Sequence, residues 1–241
     1  ADESSIELLE VLFNLTKEFK ILFINVFRPG FENTGDRISV SIQADTSLSS
    51  EEIIIKALDS SLSELMVNNM LKIEGLSREI KHKIIDRTGG NPFFIEEVVR
   101  SFIDEGAILF KGNEFILTDK INDINVPHTI ADLLTARIDR LEDQTRELVK
   151  IASVIGRNFF DKILKQVAAS VEDIDHRLDY LKNIQLIRKK DSVEELEYLF
   201  KHALAQEVAY ESLLHEKRRE LHLNVADSIV TLFKERLHEF Y

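Results

Sequence analysis

Few side chains in this sequence are arranged for covalent chemistry. There is no cysteine, which removes the thiolate nucleophile, the thiolate metal site and any disulfide framework. No G-x-S-x-G elbow occurs, and the acidic residues are scattered, so no carboxylate pair stands out. His215 and His222 can share a helix face, but HEKRRELH is not the H-E-x-x-H pattern and no third ligand follows at a fitting spacing. No metal site is therefore expected. The phosphate loop G-x-x-x-x-G-K-[ST] and the acidic metal-binding strand that accompanies it are both absent. What remains is suited to holding a ligand: Arg28, and the turn Gly89, Gly90, Asn91, Pro92.

Arg28 ends KILFINVFRP, a nearly continuous apolar run of strand length closed by Pro29. Such a run reads as a strand buried on both faces, as in a parallel α/β sheet. Open α/β sheets bind ligands at the carboxyl ends of their strands. A guanidinium there, forked and permanently charged, can sense a terminal phosphate. The other reading is an arginine that caps the strand or pairs with an acidic neighbour. In TGGNPFFIEEVVRSFIDEGA (Thr88–Ala107), Gly89 and Gly90 stop one helix, Asn91 caps the next and Pro92 sits in its first turn. Paired glycines admit close backbone approach, and a helix start offers free N–H groups. The turn can thus hold part of a nucleotide, or be only a tight helix–turn–helix junction.

The elements that position these groups follow from periodicity. Ser4 or Ser5 caps a first helix with Ile6, Leu8, Leu9, Leu12 and Phe13 on its apolar face. Ile38–Ala44 alternates apolar and polar residues and reads as a second, half-covered strand. Helices are expected from Ser49 or Ser50 through Leu58, over 61–71 and 77–87, and after Asn91. Ala107–Phe110 and Glu114–Leu117 flank Lys111-Gly112-Asn113 as a β-hairpin, and Asp119–Asn125 reads as a linker. Helices over 129–141, 144–155, 159–168 and 171–183, then strands 186–189 and 197–200 around an acidic turn, describe a winged helix. His202–Tyr241 is helical with a break near Leu214, placing Leu213, Leu214, Leu221, Val225, Ile229 and Leu232 on one face. The fold class is mainly α, of α+β type.

The 241 residues carry 31 basic and 43 acidic side chains, a net charge of −12. An acidic chain is a poor general binder of nucleic acid or anionic membrane. The helix that would enter a DNA groove, VEDIDHRLDYLKN (Val171–Asn183), is itself acidic, so direct DNA binding is not expected. Lys217-Arg218-Arg219 reads as a solvated helix face. No apolar stretch reaches membrane-span length, and the absence of cysteine fits a reducing, cytoplasmic setting.

Four stretches, VFRPGF (Val26–Phe31), TGGNPFFIEEVVRSFIDEGA, VPHTIADLLTARIDRL (Val126–Leu141) and FKHALAQEVAYESLLHEKRRELH (Phe200–His222), resemble in order the motifs of signal-transduction P-loop ATPases. In these AAA-like proteins a nucleotide-binding core is followed by a lid, a winged helix and helical repeats. The module is often fused in bacteria to adenylate or guanylate cyclases, kinases or DNA-binding regulators. The resemblance extends over nearly the whole chain. It implies a remnant of the P-loop core at 1–46, a helical lid with the glycine–proline turn and hairpin at 47–125, a winged helix at 126–201 and the start of helical repeats at 202–241. It further implies that Arg28 is a phosphate sensor and that Gly89, Gly90, Asn91 and Pro92 pack near the adenine. ATP or ADP with magnesium would be held mainly by residues upstream. The chain begins in mid-motif at Ala1-Asp2, so the missing half of the core is expected upstream, and this chain by itself is expected to be inactive as an ATPase. With the intervening strand missing, Lys20–Phe27 and Ile38–Ala44 cannot be neighbours as in the family, and Ile21, Leu22, Ile24 and Val26 would be exposed. The implied role is regulatory: nucleotide state sets the orientation of lid and winged helix, with a nucleotide cyclase as first-choice output. Other domains of the same protein, and protein partners on the helical repeats, would receive the signal. The alternatives are a helical interaction module that handles no nucleotide, or part of a transcription regulator.

Overall fold

A computed structural model describes residues 2–71, 77–111, 114–122, 126–190 and 195–237. The fold is mainly helical with two small antiparallel sheets, an α+β protein. The chain divides into two compact units, 1–56 and 57–241.

In the first unit, α1 (Glu3–Phe13) and α2 (Gly35–Ala44) close over Ile6, Phe13 and Ile38, with Leu9, Phe23, Ile42 and Leu48 packed at the margin. Arg37 donates two hydrogen bonds, 3.0 and 2.7 Å, to the Glu10 carboxylate and so ties the helices together. Four expectations fail here. The cap of α1 is Asp2, whose Oδ1 accepts from the Ser5 amide at 2.9 Å, so Ser5 is a partner of the cap. Ile38–Ala44 is helical: Ile38 and Ile42 share the inner face while Val40 is 65% exposed, so the i, i+4 pattern prevails over alternation. Lys20–Phe27 forms no strand, since no second strand exists among the described residues of this unit to take up its backbone groups. Its Leu22, Ile24 and Val26 are 82, 78 and 90% exposed. The helix expected through Leu58 is also missing. Ile53-Ile54-Ile55, three β-branched residues in a row, disfavour it.

In the second unit, α3 (Ser60–Leu71), α4 (Arg78–Thr88) and α5 (Pro92–Asp104) pack with the hairpin β1 (Ile108–Lys111) and β2 (Glu114–Leu117), in register Ile108↔Leu117. The core here is built on Val67, Leu71, Ile84, Ile95, Val98 and Phe102. A 3-10 turn, Asp119–Asn122, follows, and the rest of the expected linker, 123–125, lies outside the described residues. Next come α6 (Ile130–Asp139), α7 (Asp143–Ile155), β3 (Asn158–Phe160), α8 (Asp161–Val167), α9 (Ile174–Asn183), β4 (Ile187–Lys190) and β5 (Glu197–Phe200). The sheet order β3-β5-β4 adds a third, short strand to the expected two-stranded wing. Most of the acidic turn, 191–194, lies outside the described residues. α10 (Ala203–Glu211) and α11 (His215–Leu232) break at Leu214 as expected, but Leu214 is 80% exposed at the corner and Leu232 is 39% exposed. Leu213, Leu221 and Val225 are buried in the same apolar cluster as Leu148, Phe159 and Phe200.

Candidate functional site

The glycine–proline turn is a closed backbone knot. Gly89 takes φ 56° as the left-handed cap of α4, its amide donating to Ile85 O at 3.0 Å. Gly90 follows at φ 71°, and a Cβ there would sit 1.9 Å from the carbonyl oxygen of Leu58. A hydrogen bond holds the two backbones this close: the Leu58 amide donates to Gly90 O at 2.8 Å. Backbone contact within the protein itself thus explains the glycine at 90, and the left-handed cap conformation explains the one at 89. Asn91 caps α5 with Oδ1 accepting from the amides of Phe93 (3.0 Å) and Phe94 (3.3 Å), and Pro92 takes the first turn. The amides that a phosphate would use at this helix start are therefore already bonded to Asn91.

Arg28 lies in the first unit, exposed, and forms no ion pair among the described residues. The reading of Arg28 as a partner of a neighbouring carboxylate is not what the structure displays. The strand that was to carry it is absent, as described above.

One helical turn beyond the knot, α5 bears a group of charges that the sequence reading left unconnected. Glu97, 1% exposed, is paired with Arg137 of α6, itself 7% exposed. Arg137 also donates from Nη2 to Ile184 O, just past α9, at 2.7 Å, and its Nε lies 3.2 Å from Asp104 Oδ2. Next to this pair, Glu96 Oε1 receives Lys201 Nζ at 2.6 Å and Arg100 Nη2 at 2.7 Å. At the far end of α5, Glu105 Oε1 meets Arg140 Nη1 at 2.8 Å. At the near end, the Phe93 ring stacks on His202, centroids 3.8 Å apart. Three of the four stretches that carry the family resemblance converge here: Phe93, Glu96, Glu97 and Arg100 from the second, Arg137 and Arg140 from the third, Lys201 and His202 from the fourth.

Burial pushes the Glu97 carboxyl above its ordinary range, and Arg137 only partly offsets it. Asp104 is raised for the same reason, against the pull of Arg137. Burial also opposes the charge on Glu96, but Lys201 and Arg100 outweigh it and hold its carboxyl below the usual value. His202 is lowered by burial and by Lys201 beside it. Glu97 Oε1 is buried without a hydrogen bond, 3.9 Å from Arg100 Nε. The arrangement fixes helices against one another, and it offers no nucleophile. The signal that would have found it is a pair of carboxylates inside an otherwise apolar helix face, Glu96-Glu97, with one arginine in an apolar stretch of α6.

On α9, Asp175 pairs with Lys165, Asp179 with Lys182, and Arg177 with Glu142. In the wing, Lys190 pairs with Glu197 at 2.8 Å, while Arg188 and Lys189 are exposed. His222 Nε2 lies 3.0 Å from the Tyr210 hydroxyl. Arg218, expected on a solvated face, instead folds back over the Tyr210 ring and donates to Leu213 O and Glu211 O. Among the described residues no helix is long and apolar enough to cross a membrane.

A family described as a domain of unknown function (DUF8739) matches residues 59–111, the span from α3 through β1 that holds the knot and the acidic side chains of α5. No curated protein matches the chain.

Proposed function

We propose that this chain is the regulatory part of an ATP-dependent, cytoplasmic signal-transduction ATPase, in which lid and winged helix transmit nucleotide state to an output domain. The observation that supports it most is the convergence of three widely separated motif stretches on α5. Segments 40 to 105 residues apart in sequence meet in one charged cluster, as a module that relays orientation between its parts requires. Arg28, exposed and without an ion pair among the described residues, is free to meet a phosphate. ATP or ADP with magnesium would be bound chiefly by a phosphate loop that this sequence does not contain. A nucleotide cyclase is the first-choice output.

A second reading has an observation of its own. The amides of Phe93 and Phe94 are taken by Asn91, and Gly90 O by Leu58, so the knot suits a helical interaction module that never handles nucleotide. Calorimetric titration of the full-length protein with ATP and magnesium separates the two. The ATPase reading expects saturable binding that Arg28→Ala weakens without loss of fold, and no turnover by the 241-residue chain alone. No binding by the full-length protein, or turnover by the short chain that Arg28→Ala abolishes, overturns it.

A further inference from the structure

We draw no further inference here: the strongest candidate, the bare apolar surface of the first unit formed by the exposed side chains of Leu22, Ile24 and Val26 and of Ile53, Ile54 and Ile55, is unpartnered, and nothing in the structure shows what covers it.

Discussion

Arg137→Ala is the most informative single perturbation. It removes the partner of a carboxylate that is 1% exposed, and the donor to Ile184 O at 2.7 Å. Breaking a buried pair on one side costs about 3–5 kcal/mol, because the survivor is left charged and unsolvated. Glu97 has an escape, however: it can take up a proton. Neutralising a carboxyl whose unperturbed pKa is 4.5 costs about 3.4 kcal/mol at pH 7 and about 1.4 kcal/mol at pH 5.5, at about 1.36 kcal/mol per pH unit. That sets a ceiling on the Glu97 share, and the ceiling falls with pH. The Ile184 carbonyl adds about 1–3 kcal/mol that does not titrate. The expected result is a loss of about 4–5 kcal/mol at pH 7 that shrinks by about 2 kcal/mol at pH 5.5, read from hydrogen exchange of α5 and α6 amides and from urea unfolding. Replacing the pair together, Glu97→Leu with Arg137→Met, should cost far less than Arg137→Ala, since well-packed apolar replacements of buried pairs are often neutral or stabilising. A loss independent of pH, or a double variant as damaged as the single one, would refute the account of Glu97 as a buried, charged carboxylate held by Arg137.

Two further predictions follow from the local geometry. Gly90→Ala should lower the melting temperature much more than Gly89→Ala: both adopt positive φ, a strain of about 1–2 kcal/mol for alanine, but only at Gly90 does the new Cβ meet backbone, 1.9 Å from Leu58 O. Equal effects at the two positions would remove the Leu58 contact as the reason for the double glycine. In the first unit, hydrogen bonds from Lys17 and Ser47 lower the Asp45 pKa from 3.8 to about 2. A depressed carboxyl contributes stability above its unfolded value that is lost as pH falls through the folded one, so Asp45→Asn should flatten the acid transition of this unit between about pH 4 and pH 2, measured by circular dichroism.

The parts legible from sequence are those in which local rules and packing agree. α5 has a cap, a proline at its first turn and a one-sided apolar pattern, and its ends fall where those residues place them. Glycine breaks likewise located the hairpin and the end of α7. In the first 56 residues α1 was legible, but the two expected strands were not, because strands are completed by partners: KILFINVFRP has strand composition, but a strand forms only where another edge takes its hydrogen bonds, and this unit contains none among the described residues. RISVSIQA satisfies a period of two and also i, i+4, and with no sheet to join, Ile38 and Ile42 settle the matter by packing on Ile6 and Phe13 as a helix. The charged cluster on α5 was missed for the opposite reason. Its residues are 40 and 105 apart along the chain, and one-dimensional patterning treats charge as a mark of the surface. On α5 that inference fails at one residue in particular. Glu97 stands between Glu96 and Val98, in a helix whose apolar residues are buried on both sides of it. A carboxylate so placed must either be neutral or meet a cation from another element. Arg137 is the group that meets it, so the internal misfit of α5 contained a demand for a distant basic partner, even though the sequence alone left that partner's identity open.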